Sequence, residues 1–177
     1  MVEITVSGPP GSGTSTLVEK LAHEYSWASI NGGDVFRNEA NNRGLTVGQF
    51  SDLCKSDLEV DKSLDNMLKN EIGNPLGAEI IESRLSGWWA YLMDVDCLRV
   101  WVNVSPEECA RRIQNREGGL YEDKLILSQQ RQIDDKKRYQ ILYDIDLDDM
   151  SPYSLIIDAD NIGADEVLSI VQSKIRK

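Results

Sequence analysis

The chain has 177 residues, 41% of them hydrophobic and 28% charged, a composition that suits one globular domain with a real core and excludes a disordered or fibrous chain. Its longest apolar runs are only a few residues, and the first 25 residues lack a signal peptide's basic start and long apolar stretch, so a soluble cytoplasmic protein is expected. A formal net charge of −11 argues against nucleic acid and anionic membrane as partners; a phosphorylated ligand would have to meet cations concentrated locally.

Val2 to Val6 (VEITV) is a β-branched run suited to a buried parallel strand. The loop GPPGSGTST, Gly8 to Thr16, follows at once, and Thr14 to Tyr25 then carries Leu17, Val18, Leu21 and Ala22 at helical spacing. Strand, glycine loop and helix form the context of a phosphate-binding loop, in which backbone N–H groups from Gly11 to Ser15 turn inward around phosphate oxygens at the positive end of the helix. Ser15 is the hydroxyl for Mg²⁺ and Thr16 offers another. Thr14 stands where the motif places lysine, which removes a point charge and costs transition-state stabilisation unless another cation arrives. His23, the only histidine, reads as a helix-surface residue. Cys54, Cys97 and Cys109, odd in number and widely spaced, read as reduced buried thiols.

Residues 31 to 73 carry helical patterns and no strand, at Asp34 to Asn42, Val47 to Lys55 and Val60 to Ile72. In GGDVFR, Asp34 is placed as the helix cap and Arg37 as a guanidinium for a second phosphoryl group; a capped surface helix explains the stretch equally well. Asp57, Asp61 and Asp65 fall on one helix face, either solvated or accepting from the exocyclic amine of a base. A strand at Ala78 to Ile81 delivers Glu82 and Arg84 at its carboxyl end, where open α/β sheets bind ligands. Glu82 suits a Mg²⁺-bound water and Arg84 an acceptor phosphate, while Trp88 and Trp89 either pack on the sheet or cover a base.

Another strand is expected over Leu98 to Val104, followed by Ser105 as N-cap, Pro106 as helix start and Glu108 in the capping-box position. Helices follow over Pro106 to Arg116 and Leu120 to Tyr143. Between Arg111 and Arg138 stand eight cations and five carboxylates, either a basic lid over phosphates or a solvated helix of alternating charge. A last strand at Ser154 to Ile157, the loop Asp158 to Asn161 and a helix from Ala164 to Ile175 close the chain. That loop would pass an adenine, or is a polar turn. The alternation gives an α/β fold with a largely parallel sheet, interrupted at about 31–73 and 117–145, insertions that either build a mobile lid or substrate cover or only thicken the core.

Taken together, VSGPPGSGTST, GGDVFRNEA, SDLEVDKSLDN, ESRLSGWWA, ARRIQNREG, KKRYQILYDIDLDDMSPYSLII and DADNIGADEV resemble the archaeal-type cytidylate kinases, a branch of the P-loop nucleoside monophosphate kinases. The likeness runs in order through nearly the whole chain, and ESRLSGW and RYQILYDIDLDDMSPY are its most specific parts. It implies a three-layer fold with a five-stranded parallel sheet flanked by helices. It also implies one kinase domain over 1–177, with an NMP-binding insertion at about 31–73 and a lid at about 117–145. The implied reaction moves the γ-phosphoryl group of ATP to CMP or dCMP with Mg²⁺, giving CDP or dCDP and ADP, in a monomeric enzyme.

By the same resemblance Gly8, Pro9, Pro10, Gly11, Ser12, Gly13, Thr14, Ser15 and Thr16 hold ATP, with Arg116 and Asp160 beside it. Asp34, Arg37, Asp61 and Arg84 meet the acceptor; Arg84, Arg112, Arg131 and Arg138 act on the transferred group; Ser15 and Glu82 serve the metal. Gln129 departs from the pattern where a further lid arginine is expected. The attacking phosphate oxygen is already ionised at neutral pH, so no general base is required. Two alternatives stay open: a kinase for another small acceptor such as UMP, AMP or a metabolite, and a non-catalytic nucleotide-binding module that lost its lysine.

Overall fold

The computed structural model describes residues 1–175, apart from the side chain of Lys55. Five strands, β1 (Ile4–Ser7), β2 (Ser29–Asn31), β3 (Ile80–Glu82), β4 (Leu98–Asn103) and β5 (Leu155–Asp158), form one sheet in the order β2-β3-β1-β4-β5. All four pairings are parallel, with Ile4 opposite both Ile80 and Leu98. Every residue of β1 is buried, as both-sided helical cover of a parallel sheet demands, and this is why VEITV shows no polar alternation.

Helix α1 (Thr14–Tyr25) follows β1. Helices α2 (Gly32–Asn42), α3 (Val47–Ser56) and α4 (Leu58–Ile72) stand between β2 and β3. Then come α5 (Ser86–Leu92), α6 (Pro106–Glu117), α7 (Tyr121–Tyr143) and, after β5, α8 (Ala164–Gln172). Side chains alternate across the sheet. Ile4, Val6, Val100 and Val102 meet Leu17, Leu21, Val167 and Val171 of α1 and α8 on one face. On the other, Ile81 and Trp101 meet Leu68, Trp89, Tyr139 and Tyr153. Ala40, Phe50, Cys54 and Leu64 make a separate small core that holds α2, α3 and α4 together.

Two elements differ from the sequence reading. Strand β2 is a three-residue edge strand with no fully buried side chain, too short and too polar to register as a periodic run. Helix α5 carries Trp88 and Trp89 into the core, 9% and 2% exposed, so this pair packs on the sheet and covers no base. Gly87, just before them, has no room for a side chain: a Cβ there would lie 2.3 Å from Tyr153 Cε1. Among the described residues no helix is long and apolar enough to cross a membrane.

Candidate active site

The loop after β1 keeps its backbone cradle. Gly13 is the N-cap of α1 at φ 93°, in the left-handed region that favours glycine, and no side chain caps the helix, which leaves its first N–H groups directed at the cleft. At Gly8 a Cβ would stand 2.8 Å from the Val102 carbonyl oxygen and 2.6 Å from Ser12 Oγ, so the loop can lie against β4 only with glycine there. Pro9 and Ser12 are buried, and Ser12 Oγ has no hydrogen-bond partner. In front of the loop opens a cleft of about 690 Å³ lined by Gly11 to Leu17, Arg112, Arg116 and the segment Asp160 to Ala164.

Arg112 is braced on the cleft wall. Its Nε donates to Glu108 Oε1 at 2.7 Å, Nη1 to the Ser12 carbonyl at 2.9 Å, and Nη2 to the Ala159 carbonyl. The expected capping box at Ser105 is half formed: Ser105 Oγ accepts from Glu108 N at 3.3 Å. The Glu108 carboxylate turns instead to Arg111 and Arg112, because two guanidiniums offer more than one backbone N–H. Asp160 Oδ1 accepts from Ser105 N at 2.7 Å, tying the loop after β5 to the start of α6. Arg116 is exposed and paired with Glu117.

At the end of β3, Glu82 is 7% exposed and accepts from Ser15 Oγ at Oε1, 3.0 Å away. Asn31 Nδ2 donates to the other oxygen, a contact the sequence reading missed. Asn31 also caps α2: its Oδ1 accepts from Gly33 N at 2.7 Å and Asp34 N at 3.2 Å. Asp34 is therefore not the cap. It lies in the first turn and pairs with Arg37 Nη2 at 2.6 Å on the surface. An Asn directly before Gly-Gly-Asp and a helical run was the available signal. Ser15 and Glu82 supply a hydroxyl and a carboxylate, the hard oxygen donors that Mg²⁺ takes alongside phosphate and water. With the uncapped α1 terminus beside them, these residues fit a Mg²⁺–nucleotide.

A chain of buried charges lies beyond. Arg84 Nε donates to Asp135 Oδ2 at 3.1 Å, and Arg138 Nη2 lies 3.3 Å from Asp135 Oδ1. Arg138 Nε stands 3.4 Å from Asp61 Oδ2, and Nη2 donates to the Tyr139 hydroxyl at 2.6 Å. Arg84 and Asp135 side chains are 13% and 11% exposed. Arg84 Nη1 and Asp61 Oδ2 are buried without a hydrogen-bond partner. Burial raises Asp61 against the pull of Arg138. Burial also disfavours charge on Arg138, but Tyr139, Asp135 and Asp61 outweigh it and hold the guanidinium above its usual range.

One turn along, Asp65 Oδ2 accepts from the Tyr143 hydroxyl at 2.7 Å. Burial pushes the Asp65 carboxyl up to about 6 despite that bond. Asp57, by contrast, caps α4 by accepting from Glu59 N, so the three spaced aspartates divide into one cap and two residues facing α7. Arg131 is exposed, with no carboxylate partner among the described residues, and lies one turn before Asp135 on the same helix face.

His23 is exposed on α1. Burial lifts all three free thiols to about 11, and Cys97 is only partly buried. Among the described residues no group of three His, Cys, Asp or Glu side chains is arranged to hold a metal.

A family profile described as an AAA domain matches residues 7–126. The chain is 36% identical to a cytidylate kinase of Halobacterium salinarum over 95% of this chain and 86% of the relative. It is 36% identical to one of Archaeoglobus fulgidus over 96% and 92%, and 37% identical to one of Methanospirillum hungatei over 99% and 97%. Solved structures at low identity share the fold. An uncharacterized protein from Eubacterium ventriosum superposes with a TM-score of 0.75 at 13% identity, covering 99% and 98% of the two chains. A shikimate kinase from Bacteroides thetaiotaomicron does so with 0.61 at 16%, covering 97% and 96%.

Proposed function

Since this chain belongs to the cytidylate kinases, on the P-loop kinase fold, we propose that it moves the γ-phosphoryl group of ATP to CMP or dCMP and that arginines outside the loop replace its missing lysine. An ionised oxygen of the acceptor phosphate attacks the γ-phosphorus, the bond to the β-phosphate oxygen breaks, and CDP and ADP leave. No proton has to be removed from the nucleophile, in keeping with an exposed His23 and unreactive thiols. Catalysis then rests on positioning and charge.

The cleft of the phosphate loop takes ATP, with Arg116 and the Asp160 loop at its far wall. Mg²⁺, held by Ser15 and Glu82, would neutralise charge on the phosphates. The α2–α4 segment covers the acceptor, and α7 with its preceding turn is the lid. Arg112 spends its donors on Glu108 and two carbonyls and so shapes the loop; Arg84, Arg131 and Arg138 carry the charge that Thr14 lacks. Arg37 holds the acceptor phosphate with Arg84. Asp61, whose buried Oδ2 lacks a hydrogen-bond partner, accepts from the cytosine amine, a donor that uracil replaces with a carbonyl.

The observation that carries this reading is the pair of partly buried guanidiniums, Arg84 and Arg138, sharing Asp135: two cations gathered beyond the carboxyl end of β3 in a chain whose phosphate loop has no lysine. A coupled ADP-release assay across CMP, dCMP, UMP, AMP and GMP tests it. Turnover is expected with CMP and dCMP and lost on chelation of Mg²⁺. Turnover confined to another acceptor would move the reading to that substrate, and nucleotide binding without any turnover would establish a binding module.

A further inference from the structure

The metal corner and the acceptor helix meet in one side chain. We propose that Asn31 is a positioning residue that fixes the metal-side carboxylate of Glu82 with its amide nitrogen and the acceptor-side helix α2 with its amide oxygen. The inference rests on the kinase reading for the roles of Glu82 and Arg37, while the geometry stands without it.

Glu82 has two oxygens and two partners. Asn31 Nδ2 donates to Oε2 and Ser15 Oγ donates to Oε1 at 3.0 Å. With Oε2 tethered, Oε1 is kept on the Ser15 side, where a cation between hydroxyl and carboxylate would sit. The tether is a neutral donor on a carboxylate, so it orients the group without cancelling its charge. Asn31 Oδ1 at the same time accepts from Gly33 N and Asp34 N at 2.7 and 3.2 Å. It thereby fixes the first turn of the helix that presents Arg37.

Among the common N-cap residues, only asparagine does both. Aspartate caps equally well but would set a second carboxylate against Glu82. Serine caps and is too short to reach it. The register supports the arrangement, since Asn31 and Glu82 are paired neighbours at the ends of β2 and β3. A shift in either strand end would be felt on both sides of the site.

Two variants separate the two bonds. Asn31→Ser keeps the cap and loses the Glu82 tether; Asn31→Ala loses both. Calorimetric ATP binding, with no acceptor present, is compared in saturating Mg²⁺ and in chelator. Both variants should lose at least about fivefold of the tightening that Mg²⁺ gives the wild type, while affinity in chelator stays within about twofold. Amide hydrogen exchange at Gly33 and Asp34 should quicken at least about tenfold in Asn31→Ala and stay near wild type in Asn31→Ser.

Unchanged Mg²⁺ enhancement in Asn31→Ser overturns the tether, and unchanged exchange in Asn31→Ala overturns the cap. Neither readout needs turnover. A wild type that binds Mg²⁺–ATP but never phosphorylates CMP would indict the functional reading and leave this one judged on its own results.

Discussion

Asp135→Asn is the perturbation that most directly tests whether Arg84 and Arg138 are held in wait for phosphate. The carboxylate lies 3.1 Å from Arg84 Nε and 3.3 Å from Arg138 Nη2, with the Arg84 and Asp135 side chains nearly nine-tenths buried. Stripping one partner from a buried ion pair costs about 3–5 kcal/mol. Asparagine still accepts a hydrogen bond and Arg138 keeps Asp61, so the low end, about 3 kcal/mol, is expected. For a chain of this size about 2–4 °C is lost per kcal/mol, and Tm should fall by about 6–12 °C.

The informative measurement is the same scan with CMP. In the wild type the acceptor phosphate has to draw the guanidiniums away from the charge of Asp135; in the variant only a neutral amide at that position competes. CMP should therefore raise Tm more in the variant than in the wild type, and bind it several-fold tighter by calorimetry. Saturating ligand at about a hundred times Kd stabilises by about 2.7 kcal/mol, enough to offset most of the loss. An unchanged Tm would refute the buried-pair energetics, and an equal or smaller CMP shift would refute the exchange of Asp135 for phosphate.

Asp65, raised by burial to about 6 from an unfolded value near 4, binds a proton in the folded state that the unfolded chain has released between those values. Its contribution to stability therefore falls as pH rises from about 4 to about 6. Asp65→Asn should remove that slope in denaturant titrations and leave the protein more stable than wild type at pH 8. Arg131→Ala and Arg138→Ala should each lower kcat at least about 100-fold, with Thr14→Ala within about threefold; mild effects of both arginine changes would remove the basis for lid compensation. Gly8→Ala, whose Cβ would meet the Val102 carbonyl at 2.8 Å, should raise KM for ATP at least about tenfold while the far-ultraviolet circular dichroism is unchanged.

Much of this molecule is legible from local chemistry. VEITV, the Gly8 to Thr16 loop and the Leu17–Leu21 spacing identify β1, cradle and α1 because each is specified by residues within a few positions. Ser15 and Glu82, 67 residues apart, meet because each ends or follows a strand at the sheet's carboxyl edge, a rule of topology readable once the strands are placed. Asn31 and the Arg84–Asp135–Arg138–Asp61 chain are of another kind. In the sequence, Asp135 is one of many carboxylates in an alternating-charge helix, and only the approach of α4 and the β3–α5 turn selects it. The capping-box reading at Ser105 half failed for a related reason: Asp160, brought in by the loop after β5, takes the Ser105 N–H, and the Glu108 carboxylate pairs with Arg111 and Arg112 of its own helix.

The brace made by Arg112 also bears on how this protein comes into being. It joins the carbonyl of residue 12 to that of residue 159, and the Lys20–Asp165 pair joins α1 to α8. During synthesis the phosphate loop emerges well before β5 and the start of α8, which supply its outer wall. That wall of the donor cleft thus forms by long-range contacts of high loop-closure cost, and a nascent chain that stops short of β5 and α8 would present the nucleotide loop without it.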